Sequence, residues 1–331
     1  MSGLPPNYAF RADAGEAAFV ERALLYVETE TYNVLFPPLE GRKYVPADNS
    51  THPGAKTTGY KQYTRTGIAK LVTERGGDLP TSKLFVKEFF HQFYRLGISY
   101  EYTLDDLLAA QFSSQNGGPS LNIDLEQAEG ARMGIERALD VIFAIGSATS
   151  ATIPGLTNGI GPDLGLLGLL NQPNASTYTP AIGAGNQATA WSGKTPDEKI
   201  ADLTGMYTAM VAGTYKIFTP DTFLLPITQY FAANGQRMGD GSDETVISFF
   251  KKIYPGVTVD SWQYCQGAGA AGVDRAVAFI KNKRYVRHMI SQEFQQMPPQ
   301  FEDFTFSVDC TAKTAGIICP YPLSILYCDG I

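Results

Sequence analysis

The sequence predicts an α+β fold, on three observations. Two long aromatic and β-branched runs flank a Gly-rich turn, one extended amphipathic helix lies near the middle, and the last thirty or so residues read as strand after strand. Residues 1–12 contain proline and read as extended chain. From Asp13 to about Asn33, Ala17, Val20, Leu24 and Val27 recur at helical spacing. Pro37-Pro38 ends that run, and the Pro/Gly/Asn-rich stretch to Gly59 reads as loop. Tyr60–Thr73 and Lys83–Tyr102 follow as two strands about the turn Glu74-Arg-Gly-Gly-Asp-Leu-Pro80. From the residues alone they fit two strands of an internal sheet, with a projecting hairpin as the alternative. An isolated hairpin is marginal in water, so a projecting one needs a surface to lie against.

Thr103 caps a short helix with Asp105 and Asp106 in its first turn, where the helix dipole favours negative charge. After a polar Ser-Ser-Gln-Asn-Gly-Gly-Pro loop, Asp124 opens the long helix, which runs to about Phe143. Leu125, Ala128, Ile135, Leu139 and Ile142 form its apolar stripe, and Glu126, Glu129, Arg132, Glu136 and Arg137 lie largely outside it. Gly, Ala, Thr and Asn dominate from Gly146 to Ala190. Helix signals then run from Pro196 to Val211, with a strand at Thr222–Leu225 and helices near 227–233 and 243–253. Strands are predicted near Val257–Trp262 and Asp274–Lys281, and in the tail at Phe304–Val308, Gly316–Cys319 and Leu323–Tyr327. No repeat of 20–50 residues is visible.

The bulk numbers bound the class. The chain of 331 residues can hold one large domain or two smaller ones. A hydrophobic fraction of 44% with 18% charged residues and 12% aromatics leaves little polar surface for an isolated monomer, which favours burial against copies of itself. With a net charge of −7, no general grip on nucleic acid is expected. Cys265, Cys310, Cys319 and Cys328 are widely spaced and form no C-x-x-C pair, so they read as reduced structural thiols of a cytoplasmic protein. The N-terminus lacks the pattern of a signal peptide, and no stretch approaches the roughly 20 apolar residues of a membrane span.

Chemistry-bearing motifs are few. Ala188–Thr195 fits a relaxed phosphate-binding loop with Ala in place of the first Gly. No strand precedes it, Asp197 and Glu198 would repel phosphate, and Thr195-Pro196 followed by Glu198 reads more simply as a capping box. Gly267–Gly272 fits G-x-G-x-x-G, yet the residues after it read at least as well as a strand, and too few remain for a doubly wound sheet. A surface loop is the better reading. His52, His91 and His288 are the only imidazoles, none within a recognised nucleophile motif. The basic run Lys281–His288 reads as a solvated turn between strands, with contact to DNA or an anionic surface as the alternative. Asp105/Asp106, Asp197/Glu198 and Asp243/Glu244 each fall at a helix start and serve the dipole. No catalytic residue, cofactor-binding residue or metal ligand is assigned.

The motifs in order are Glu21–Glu28, Phe36-Pro-Pro-Leu39, Tyr44-Val-Pro46, the long helix, Gly165-Leu-Leu-Gly-Leu-Leu-Asn171, Trp191–Pro196, Thr219–Pro226, Tyr254-Pro-Gly256, Gly272–Arg275, Pro298-Pro-Gln300 and Ile325–Ile331. This series resembles the major capsid proteins of tailed bacteriophages, with the Hong Kong 97-type shell fold. The resemblance implies an N-terminal arm at 1–57, an extended hairpin loop at 58–100 and a peripheral domain at 101–195 with its spine helix at about 122–145. An axial domain at 196–300 and closing strands of the peripheral domain at 301–331 complete it. It implies a structural protein that assembles as pentamers and hexamers into an icosahedral shell around double-stranded DNA, in the virion, after assembly in the host cytoplasm. Its partners would be copies of itself, a separate scaffolding protein, a portal, a decoration protein and non-specifically contacted DNA, with no membrane. A nanocompartment shell of the encapsulin type is the alternative. A nucleotide-binding enzyme using Ala188–Thr195 or Gly267–Gly272 is the second.

Overall fold

The computed structural model describes residues 38–71, 79–115, 123–147, 161–185, 188–239 and 243–331. The helix expected at Asp13–Asn33, most of the Glu74–Pro80 turn and the Asn116–Pro119 part of the polar loop lie outside the described residues.

Helix α1 (Gly41–Tyr44) and strand β1 (Ala47–Asp48) occupy a stretch whose Pro and Gly content predicts loop. Burial explains the difference. Tyr44 packs edge-on against Trp262, and Gly41 lies so close to Asp140 that a Cβ there would sit 2.6 Å from Oδ1. Asp140 Oδ1 accepts from the Gly41 N–H at 2.6 Å. Arg42 adds ion pairs to Glu136 at 3.2 Å and Glu293 at 2.9 Å.

Strands β2 (Thr57–Thr66) and β3 (Lys83–Gln92) are each ten residues long and pair antiparallel in unbroken register, from Thr57 opposite Gln92 to Thr66 opposite Lys83. They form a two-stranded sheet that no other described strand joins. The run read as one strand from Lys83 to Tyr102 divides at Phe93, which is buried among Met289, Ala315 and Ile318. Beyond it, β4 (Tyr94–Thr103) belongs to a different sheet. Helix α2 (Leu104–Gln115) starts at the expected cap: Thr103 Oγ1 accepts from Asp106 N, and Asp106 Oδ2 from Thr103 N.

The long helix α3 (Ile123–Ile145) buries Ala131, Ile135, Leu139 and Ile142, as its period requires. Leu125, expected in that stripe, is exposed instead. The Gly165–Asn171 motif closes the C-terminus of α3, whose last carbonyls have no partner within the helix. Leu169 N donates to Phe143 O at 2.8 Å, Leu170 N to Ala144 O at 2.8 Å and Asn171 Nδ2 to Ile145 O at 2.7 Å. Such proximity leaves no room for side chains: a Cβ at Gly168 would lie 2.4 Å from Ala144 O.

A short strand β5 (Ser176–Tyr178) precedes α4 (Pro196–Gly213), which begins in the expected Thr195/Glu198 capping box with Pro196 in its first turn. Then follow β6 (Thr222–Leu225), α5 (Ile227–Gly235), α6 (Val246–Ile253), β7 (Thr258–Ser261) and β8 (Arg275–Phe279). The chain ends with β9 (Arg287–Gln296), β10 (Gln300–Glu302), β11 (Thr305–Ile318) and β12 (Ile325–Asp329).

In the first sheet β11 is central, with β4 on one edge and β10 then β9 along the other; β1 adds to β9 in parallel. Helix α3 covers it through Ala131, Ile135 and Leu139 against Tyr100, Val308 and Ala312. The second sheet runs β5-β12-β8-β6-β7. Its alternation is strict, as the two-residue strand period dictates. Phe223, Leu225, Ala276, Ala278, Leu326 and Cys328 join the core of α4–α6, while Leu224, Val277, Phe279, Ile325 and Tyr327 face the other way. That second face shares a core with Phe143 of α3 and Ile317 of β11, which ties the two sheets together.

Two strand expectations are corrected. The tail strands 304–308 and 316–319 are one 14-residue strand, β11. Strand β9 occupies a stretch where none was expected. Within residues 301–331, β11 belongs to the first sheet and β12 pairs with β8 in the second.

Candidate functional site

The phosphate-loop candidate is a structural core. Lys194 is buried, and its Nζ donates to Asp202 Oδ2 at 2.6 Å, with side-chain exposures of 0% and 1%. Trp191 Nε1 donates to the same oxygen at 2.9 Å, and Ala181 N to Oδ1 at 3.2 Å. The one side chain that could hold a phosphate is therefore consumed inside the protein. Gly267–Gly272 is a loop followed by strand β8, whereas a dinucleotide site needs a helix there to present its N-terminus. Its backbone is held by Asp274, which accepts from Gly267 N, and by Asp329, which accepts from Ala270 N.

The three histidines are not brought together. His52 Nδ1 accepts from Gly54 N in a turn, and His91 lies on β3 beside Tyr60. His288 is fully buried against Phe143; the Thr314 hydroxyl donates to Met289 O, so His288 Nε2–H donates to Thr314 Oγ1 at 2.8 Å. Burial pushes its pKa down to about 3. The unfolded chain binds this proton near pH 6.5 and the fold does not until about pH 3, so stability is lost as pH falls through that window. Between pH 6.5 and 5 the expected loss is about 2 kcal/mol. Urea titrations at both pH values check this, and His288→Gln should flatten the slope; His91, lowered by burial in the same direction, remains in the variant.

The basic run forms the turn between β8 and β9, where Lys283 pairs with Asp48 at 3.0 Å. All four cysteines are buried free thiols, with Cys265 and Cys328 raised by desolvation and Cys319 pushed up to about 11. Asp106 and Glu198 cap their helices as expected. Helix α6 starts instead at Thr245, in a Thr245/Ser248 capping box, so Asp243/Glu244 precede it.

Two of the exposed apolar areas lie on the hairpin and at the edge of the first sheet. On the β2–β3 hairpin one face exposes Phe85 and Phe89, with Tyr60 half-buried against the Phe93 cluster, and the other exposes Tyr63, Leu84, Val86 and Phe90; Phe90 is 69% exposed. Only one ion pair crosses the hairpin, Lys61 to Glu88 at 2.8 Å, among the described residues. At the far end of the first sheet, Leu104, Leu108 and Phe112 form an outward stripe on α2, with Phe112 70% exposed. Leu104 N donates to Phe304 O, which places Phe304, 73% exposed, beside that stripe. The i, i+4, i+8 spacing of the three α2 residues is the sequence signal of this second patch.

Exposed apolar groups of this extent mark surfaces that another protein covers, and the comparisons agree. A family model described as major capsid protein matches residues 67–331. Curated protein sequences return no match. The capsid of Myoviridae phage XM1 matches with a TM-score of 0.77 at 18% identity, over 94% of this chain and 98% of that one. A structure from Gordonia phage Cozz gives 0.60 at 14% identity, over 99% and 98%. One from Mycobacterium phage Bobi gives 0.59 at 16% identity, over 96% and 99%. Neither the nanocompartment nor the nucleotide-enzyme reading is favoured by them. A two-sheet α+β body, an apolar hairpin outside it and a family match over most of the chain lead to one conclusion: the chain belongs to the major capsid protein family, a virion shell subunit with the Hong Kong 97-type fold of tailed phages.

Proposed function

We propose that copies of this chain associate as pentamers and hexamers that close an icosahedral shell around double-stranded DNA. The hairpin is the extended loop that reaches a neighbour, α3 is the spine of the peripheral domain, and the second sheet with α4–α6 is the axial domain at the ring centres. Residues 1–57 act as the arm. Assembly takes place in the host cytoplasm with a separate scaffolding protein and a portal, and a decoration protein is a further partner. The net charge of −7 suits an inner wall that touches packaged DNA without holding it.

The observation that carries this reading is the hairpin. A two-stranded sheet is marginal in water, and this one exposes apolar side chains on both faces. Burying one such aromatic is worth about 1.5–3 kcal/mol, so covering both faces favours association strongly. Phe85→Ser with Phe90→Ser should leave a soluble folded subunit that forms no closed shells by negative-stain microscopy. Normal shells from that variant would remove the hairpin's role.

A further inference from the structure

We propose that one end of the second sheet, through Lys216, Lys251, Lys281 and Arg284, binds the phosphate backbone of double-stranded DNA. The inference rests on the reading of the chain as a shell around DNA and adds which residues meet it.

Strand register gathers these residues. Thr222 of β6 lies opposite both Thr258 of β7 and Phe279 of β8, and Phe279 lies opposite Ile325 of β12. Four connections therefore emerge at one end of the sheet. They are residues 214–221 before β6, 251–257 from the last turn of α6 into β7, 280–286 after β8, and 319–324 before β12. Side chains and backbone lock them to one another. Phe218, Tyr285 and Tyr321, one from each of three connections, pack with ring centroids 5.6–6.0 Å apart. Asp221 O accepts from Thr258 N at 2.8 Å and its Oδ1 from Lys281 N at 2.8 Å, which joins the fourth.

Charge at this end opposes that of the whole chain. The four connections hold six cations (Lys216, Lys251, Lys252, Lys281, Lys283 and Arg284) and one carboxylate, in a chain of 26 Lys and Arg against 33 Asp and Glu. All six cations are exposed. Lys252 pairs with Glu244 and Lys283 with Asp48, whereas the other four have no ion pair among the described residues. The one carboxylate is occupied within the fold, since Asp221 Oδ1 also accepts from the Thr222 hydroxyl at 2.8 Å. The alternation of Tyr215 and Lys216 with the chain around them is fixed as well. Both residues take left-handed backbone, φ 50° and 65°, uncommon without glycine, and Lys216 N donates to Val211 O at 2.7 Å. Tyr215 is left 90% exposed beside the Lys216 amine.

The side chains offered are almost wholly donors: ammonium groups, a guanidinium and a tyrosine hydroxyl. A ligand that only accepts, and carries negative charge at regular intervals, fits such a surface, and phosphodiester oxygens meet both conditions. An acidic protein face would bring N–H donors and cations of its own, for which this end has no free carboxylate. The net charge of −7 denies the chain a general grip on nucleic acid, and a local reversal of sign gives each subunit one weak contact that reads no sequence.

The test uses the full-length subunit before assembly and a short fluorescein-labelled DNA duplex, followed by fluorescence anisotropy between about 50 and 200 mM salt. One variant combines Lys216→Gln, Lys281→Gln and Arg284→Gln. A control combines Arg95→Gln, Arg132→Gln and Arg237→Gln, which removes the same charge from exposed positions elsewhere. Circular dichroism and thermal melting verify that both fold. The first variant should bind at least about tenfold more weakly at low salt, with a salt dependence shallower by about 2–3 in the log–log slope, and the control should stay within about threefold of the parent. Parental affinity in the first variant, or equal weakening in both, would overturn the site and leave the shell reading standing. Loss of shells by the first variant with parental duplex binding would also overturn it, and would assign the cations to contact with another copy. A parent chain that binds duplex through these residues yet forms no shells, alone or with its scaffolding protein, would support the site and remove the shell reading.

Discussion

Lys194→Met should lower subunit stability by about 3–5 kcal/mol, the loss expected when one member of a buried ion pair is deleted. The substitution leaves the Asp202 carboxylate in a site of 1% exposure. Trp191 Nε1 and Ala181 N still donate to it, but neither carries the compensating charge. The neighbouring Thr195 cap is untouched, so the loss belongs to the pair. Lys194→Met combined with Asp202→Leu should recover most of the stability, because apolar replacement of a whole buried pair is often neutral. Urea denaturation of the unassembled subunit measures both. Equal stability of Lys194→Met and the parent would refute the buried-pair account and return Lys194 to consideration as a ligand-binding residue.

The second large effect is expected at Gly168. Its missing Cβ would meet Ala144 O at 2.4 Å and Gly146 N at 2.5 Å, both backbone atoms that no rotamer change can move. Gly168→Ala must push the 166–171 segment away from α3 and break the bonds from Leu169 N and Leu170 N to the helix end. Buried carbonyls then lose their partners, and a loss of at least about 3 kcal/mol follows. Gly130 lies on the same helix with nothing within 4 Å of its would-be Cβ. Gly130→Ala should therefore stabilise by about 0.5–1 kcal/mol through helix propensity alone. Thermal melts of the two variants should shift in opposite directions. A Gly168→Ala melt at the wild-type temperature would show that the close approach carries no energetic weight.

The features legible in the sequence were those specified by neighbours in the chain. The Thr195/Glu198 box, the Thr103 cap and the α3 stripe from Ile135 to Ile142 depend on spacing of three or four residues. Elements specified by distant partners were obscured. Strand β9 carries Arg287, His288, Ser291 and Gln292, too polar to read as a buried strand, yet His288 Nε2 bonds Thr314 of β11. Strand β11 is interrupted in pattern by Asp309 and Lys313; the Lys313 Nζ reaches Pro53 O and Ala55 O, a contact no local window contains. Leu125 was placed on the inner stripe because spacing alone cannot tell an apolar face turned to the core from one turned to solvent. For the candidate site, the aromatic runs of the hairpin were visible, but their isolation from every other described strand was not.

Strand β11 also sets a clock on synthesis. It pairs with β4 across roughly 200 residues of intervening chain, and β12 completes the second sheet after it. Neither sheet can close until the ribosome has delivered these last elements, and non-local pairing of this kind is slow. Phe304 and the anchorage of Phe93 among Ala315 and Ile318 arrive in the same late segment. A nascent chain thus has its hairpin strands long before it has a finished body to dock or be docked upon. Both sheets of the body therefore close late, well after the hairpin strands have been synthesised.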